Sequence, residues 1–189
     1  MDMMDLCGRL LTPDEQQEMQ ESLQLLKQEE YAPFYKKNRE IISNLLFLDS
    51  LDEFLDFSGG NQLDPESYCC AFLCAKGNGL QIGGYEDDLT EKLTRFFARK
   101  GLLYPALSAI INREKIYTDC DASGNFEQAI TDINAVLETH DRFLTVFSDF
   151  MYCGCQYTIL LTNTACAEQI AAGWQSGNFE TVLTFRHSA

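Results

Sequence analysis

The order of hydrophobic patterns along the chain limits its possible folds more than any other feature. Apolar residues near the start recur at helical spacing, as in Met19, Leu23 and Leu26. Later segments, such as 143–150 and 156–162, are short apolar runs of strand length. Helices that precede a strand-containing region are typical of α+β domains. We therefore expect an α+β fold in which a helical N-terminal region is followed by a small, largely antiparallel sheet flanked by helices.

Capping residues place the first two helices. Thr12 and Glu15 form a capping box around Pro13 at the first helical position, and Pro33 should end this helix. A second helix is expected from about 34 to 57, ended by a pair of glycines. Its apolar face should carry Ile41, Leu45, Leu48 and Leu55, and the positions that widen this face are Ile42, Leu46 and Phe54.

Shorter elements are predicted after residue 60. Two strands, 68–75 and 80–83, should form a hairpin around a glycine-rich turn. The further helices are expected at about 89–101, 104–111, 125–139 and 165–174, and the further strands at 143–150, 156–162 and 181–185. Since no repeat or linker interrupts the chain, we expect one domain, 1–189, in which residues 1–60 are helical and residues 61–189 contain the strands.

The charge balance restricts the class of partner. Fourteen Lys and Arg residues face 29 Asp and Glu residues, which gives a net charge of −15. Such a surface repels phosphate backbones and anionic lipids, so nucleic acid and membranes are not expected partners. The first residues lack the basic and apolar regions of a signal peptide, and the apolar stretch 150–161 is too short to span a bilayer. We expect a cytoplasmic protein.

Eight cysteines suggest three alternatives: disulfides, metal binding or core packing. Disulfide frameworks belong mainly to short secreted chains. The groups Cys69, Cys70, Cys74 and Cys153, Cys155 do not repeat the spacing of zinc ligands. We expect most of these thiols to be free and buried, while a metal or redox role stays open.

One loop has the pattern of a cation site. Asp119, Asp121 and Ser123 offer oxygen ligands at alternate positions before Asn125, and a glycine occupies the sixth position. This pattern resembles the first half of an EF-hand calcium loop, but Ile130 stands where the bidentate glutamate should be. The alternative is a turn that leads into a helix capped by Asn125, with Gln128 completing the box. Calcium is the only cofactor the sequence suggests.

Catalytic patterns are weak. His140 follows a predicted helix and His187 is close to the end of the sequence, so neither is placed as a general base. The glycine-rich segment 77–84 has isoleucine where a dinucleotide fingerprint needs its third glycine. We therefore favour a protein without enzymatic activity.

The acidic side of the second predicted helix is the candidate binding surface. It carries Asp49, Asp52, Glu53 and Asp56, which would attract a basic partner. In size and charge the chain resembles the nuclease-inhibiting immunity proteins of bacteria, which implies an interaction or inhibitory role. One alternative is a metal- or small-ligand-binding domain, with or without enzymatic activity, centred on Asp119–Asn125. A third possibility is an oligomerisation module that uses the apolar side of the same helix.

Overall fold

The computed structural model describes residues 1–46, 48–60, 63–83, 89–117, 125–149, 156–174 and 179–183. These residues form nine helices and a four-stranded antiparallel sheet. The predicted α+β class is therefore confirmed. The chain divides into two compact units, Asp2–Lys76 and Gly77–Ala189 together with Met1. Our division of a single domain at residue 60 stays a prediction.

In the described residues of the N-terminal unit, every secondary-structure element is a helix. Its helices are α1 (Met3–Leu10), α2 (Pro13–Lys27), α3 (Tyr31–Leu46), α4 (Leu51–Gly60) and α5 (Pro65–Ala75). Helix α1 was not predicted, although Asp2 and Asp5 form a reciprocal capping box at its start. At α2 the predicted box is confirmed: the Glu15 carboxylate accepts from Thr12 N at 2.9 Å, and Glu15 N donates to Thr12 Oγ1 at 3.4 Å.

The predicted end of the first helix and the predicted bounds of the second helix, 34–57, were wrong. Helix α2 ends at Lys27, before Glu29 adopts a left-handed φ of 58°, and Pro33 lies in the first turn of α3. Proline is tolerated there because the first four N–H groups of a helix have no partner within it. The expected helix 34–57 is in fact two helices, α3 and α4. As a result Leu55, expected on the buried face, is 38% exposed.

The predicted strand 68–75 is also wrong, because these residues belong to α5. Asp64 caps this helix by accepting from Ser67 N at 2.8 Å, and Pro65 occupies its first turn. Helix α5 packs against α1, α2 and α3 and is buried from Ser67 to Leu73. A helix that is apolar on every side has no periodic stripe, so its sequence resembles that of a buried strand.

Aromatic rings fill the core of the N-terminal unit. Phe34 lies 5.2 Å from Tyr68 and 5.9 Å from Phe54 between ring centroids. Tyr35 also stacks on Phe54, at 5.4 Å and an interplanar angle of 29°. The ring of Phe54 therefore packs α4 against α3.

The C-terminal unit contains the sheet. Its elements are β1 (Gly79–Gly83), α6 (Thr90–Arg99), α7 (Pro105–Ile111), α8 (Phe126–Glu138), β2 (Phe143–Asp149), β3 (Gln156–Thr162), α9 (Thr164–Gly173) and β4 (Phe179–Leu183). All of these were predicted, with ends that differ by a few residues. The strand order is β1-β3-β2-β4 and every pair is antiparallel. Strand β1 thus pairs with β3, rather than with 68–75 as predicted.

Helices contact β2 from the two faces of the sheet. Leu144 and Val146 join a core with α6, α7 and α8, whereas Phe147, which points the other way, contacts Trp174 after α9. A buried amide strengthens the first face: Asn134 of α8 donates to Leu144 O at 3.0 Å and accepts from Leu144 N at 2.7 Å.

Candidate functional site

Helix α4 carries the predicted acidic surface, and two of the four acids turn out to build its N-terminus. Ser50 is the N-cap: Glu53 N donates to its Oγ at 3.2 Å. In return, the Glu53 carboxylate accepts from Ser50 N and Asp49 N, each at 3.1 Å. This capping box explains why a new helix begins at Leu51.

Asp49 is also engaged within the fold. Its Oδ1 accepts from Ser43 Oγ of α3 at 2.6 Å. Its backbone carbonyl accepts from Arg39 Nη2 at 3.4 Å. Asp49 and Glu53 therefore connect α3 to α4, whereas Asp52 and Asp56 are exposed. The binding role of the four acids stays a prediction.

The open side of α4 consists of two adjacent ridges. Leu51 and Leu55 are 37% and 38% exposed and are four residues apart, so they are neighbours on one line along the helix. Asp52 and Asp56, both exposed, follow each leucine by one residue and form a parallel line about 100° further round the helix. We call these four residues the α4 surface.

One cluster of polar side chains in the core of the N-terminal unit is joined by hydrogen bonds. The Asn38 side chain accepts from Tyr68 OH at 2.7 Å and from Ser22 Oγ at 3.3 Å, and it donates to Phe34 O at 2.9 Å. Asn38 is where the backbone of α3 leaves helical geometry, at φ −117° and ψ 22°. A side chain that inserts into the hydrogen-bond ladder is a known cause of such a kink.

No cysteine among the described residues forms a disulfide, as predicted: Cys7, Cys69, Cys70 and Cys166 are buried and Cys74 is partly buried. Cys120, Cys153 and Cys155 lie outside the described residues. A hydrogen bond with Cys7, together with burial, raises the pKa of Cys69 well above its ordinary value. Burial likewise raises the pKa of the Cys74 thiol. A neutral thiol is neither a good nucleophile nor a metal ligand, so these two groups are suited to packing.

Most of the predicted calcium loop lies outside the described residues, including Asp119, Asp121 and Ser123. Asn125 is the N-cap residue of α8, as predicted, but its side chain forms no capping hydrogen bond. Its amide instead donates to Lys115 O at 2.7 Å and accepts from Tyr117 N at 3.0 Å. Gln128 instead donates to Asp132 at 2.7 Å. In the described ranges of the chain, no group of three or more His, Cys, Asp or Glu side chains could hold a metal ion.

Of the two histidines, only His140 is described, and it is exposed beyond the end of α8. Its ring stacks on Tyr104, with centroids 3.9 Å apart and an angle of 19°. The sequence did not indicate this pair, because the two residues are distant along the chain.

Comparison with protein-family models, curated proteins and solved structures finds no match for the chain. None of the helices among the residues that the structure describes combines the length and apolar composition needed to cross a membrane.

Proposed function

We propose that this chain is a non-enzymatic interaction protein whose α4 surface binds a basic, amphipathic segment of a partner protein. The observation that supports the proposal is the pair of exposed ridges on one helix, Leu51 with Leu55 and Asp52 with Asp56. Single exposed leucines are common on protein surfaces. Here, however, two exposed leucines lie one helical turn apart beside two exposed aspartates, which gives one helix an apolar line next to an acidic line.

The two ridges have different roles. The leucines supply apolar area that a partner can remove from water. The aspartates attract and orient a cationic partner, and a net charge of −15 extends that attraction over the molecule. Because Phe54 fastens α4 to the core, the surface is presented by an already ordered helix.

The complementary partner is a segment with apolar residues beside Lys or Arg at helical spacing. If the partner is a basic enzyme whose activity is blocked by this contact, the chain acts as an inhibitor. Immunity proteins, which the chain resembles in size and charge, act in this way. We place this activity in the cytoplasm, where a reducing environment keeps buried thiols such as Cys7 and Cys69 free.

The test uses a fluorescent helical peptide built from Leu and Lys, with its leucines on one side, and measures anisotropy at low and high salt. We expect saturable binding that weakens with salt, because the contact is partly electrostatic. The double variant Asp52→Lys, Asp56→Lys should reduce affinity about tenfold or more. Leu55→Ser should also weaken binding, but with an unchanged salt dependence.

A matched control is Glu114→Lys, Glu127→Lys, which makes the same change in net charge in the C-terminal unit. Asp52 and Glu127 are both the second residue of their helices, so the two variants lose similar helix-dipole stabilisation. If both variants reduce the peptide affinity equally, binding depends only on the overall charge of the chain. The α4 surface would then have no specific role.

A further inference from the structure

A groove of about 900 Å³ lies beside the first turns of α3 and the connection to α4. Its apolar walls include Ala32, Pro33 and Leu51. Pockets of about 300–1,000 Å³ with mostly apolar walls and a few polar groups are typical of sites for small molecules. The α4 surface shares only Leu51 with this groove.

Two cations line the groove in a chain that is otherwise strongly acidic. Among the residues that the structure describes, neither Lys36 nor Arg39 forms an ion pair with a carboxylate. Their neighbour Lys37, by contrast, pairs with Glu21 at 2.7 Å. Among the described residues of the lining, one carries a carboxylate: Asp49, which already accepts from Ser43. The lining residues therefore carry one excess positive charge.

Tyr35 also lines the groove. Tyr35 is only 6% exposed, and its OH is buried without a hydrogen-bond partner among the described residues. Stacking on Phe54 fixes the ring and therefore the position of the OH. A buried donor without a partner is unfavourable, and a ligand that accepts its hydrogen would remove this penalty.

We propose that the groove binds a small carboxylate with an apolar body. The carboxylate would accept from Tyr35 OH and would be neutralised by Lys36 and Arg39, while the apolar body lies against Pro33 and Leu51. A monoanion matches the single excess positive charge of the lining, whereas a phosphate dianion would be left partly uncompensated. This proposal does not depend on the partner proposed for the α4 surface.

The test is calorimetric titration of the full chain with decanoate below its micelle concentration, with decanol and decyltrimethylammonium as probes of equal chain length. We expect one saturable site for decanoate, weaker binding of decanol and none of the cation. Arg39→Gln should reduce decanoate affinity about tenfold through the lost charged hydrogen bond. Lys37→Gln removes the same charge from the same helix outside the groove and should have little effect.

Tyr35→Phe keeps the ring and removes only the hydroxyl. Because that hydroxyl has no partner among the described residues, the variant should be at least as stable to urea as the parent chain and yet bind decanoate several-fold more weakly. Three outcomes would overturn the proposal: no saturable binding, equal effects of Arg39→Gln and Lys37→Gln, or a Tyr35→Phe variant with full affinity. The variant Asp52→Lys, Asp56→Lys should bind decanoate normally, so the two proposals can fail separately.

Discussion

Single buried groups determine much of the local structure of the N-terminal unit. The side-chain oxygen of Asn38 accepts hydrogen bonds from the hydroxyls of Ser22 and Tyr68, and the kink of α3 occurs at this residue. Burial also raises the pKa of Tyr68 and favours its neutral form, which can donate to Asn38. A hydrogen bond with Cys7 together with burial raises the pKa of Cys69, and burial raises the pKa of Cys74, so both thiols stay protonated in the folded chain.

The raised pKa of Cys69 predicts that the chain loses stability in mild alkali. An unfolded thiol ionises above about pH 8.5, while the folded thiol stays neutral, so rising pH favours unfolding. For each such thiol, the free energy of unfolding should fall by up to about 1.4 kcal/mol per pH unit above that value. Urea unfolding between pH 7 and 10, with reductant present, measures this slope.

Cys69→Ala should flatten the alkaline slope but not remove it, since the Cys74 thiol also contributes. Leu73→Ala is the control, because it removes a fully buried side chain of α5 without removing a titratable group. It should lower stability equally at every pH. If the free energy of unfolding of Cys69→Ala instead falls with pH at the same rate as that of the parent chain, the Cys69 pKa is not raised in the folded state.

At the scale of elements, some capping signals and amphipathic stripes were reliable. The Thr12–Glu15 box correctly predicted the start of α2, and the stripes of α6 and α8 were assigned correctly. The predictions of a single helix over 34–57 and of a strand over 68–75 failed because the hydrophobic pattern was given more weight than the capping residues in these segments. Ser50 and Glu53 form the S-x-x-E pattern, and Asp64 precedes Pro65. However, the helical spacing of the apolar residues on both sides of Ser50 suggested one longer helix, and the apolar run 68–75 suggested a strand.

The candidate site could be predicted only incompletely, for the same reason. All four acids were identified from the sequence, and the side chain of each is exposed. Their division into two structural residues and two available ones depends on the break at Ser50, which also shifts the helical phase and exposes Leu55. The groove at Tyr35 could not be predicted, since it requires the positions of α3 and α4 in space.

The structural role assigned to Glu53 predicts an asymmetry among the acids of α4. Glu53→Ala removes the acceptor for two backbone N–H groups and should lower the free energy of unfolding by about 1 kcal/mol. Glu53→Gln keeps one acceptor oxygen and should cost less. Asp52→Ala, in the same helical turn, loses only its interaction with the helix dipole and is the matched comparison. If urea unfolding shows Asp52→Ala to be as costly as Glu53→Ala, the capping box does not stabilise α4.

At the scale of the whole molecule, each compact unit has an apolar core and a buried asparagine of its own. Asn38 connects α3 to α2 and α5 in the N-terminal unit. Asn134 connects α8 to β2 in the C-terminal unit. A unit with its own core is able to unfold as a separate cooperative element.

Hydrogen exchange of two variants should therefore show two separate responses. Asn38→Ala removes the acceptor of the buried Tyr68 hydroxyl, whereas the Ser22 hydroxyl keeps Glu18 O as an acceptor. The variant should destabilise by about 1–3 kcal/mol, with faster exchange in α3 and α5. Asn134→Ala leaves the backbone of Leu144 unpaired and should accelerate exchange by a similar factor in α8 and β2. Glu114→Gln, at an exposed position, should change neither region. If each asparagine variant accelerates exchange equally across 2–76 and 77–189, the chain unfolds as one cooperative body despite its two cores.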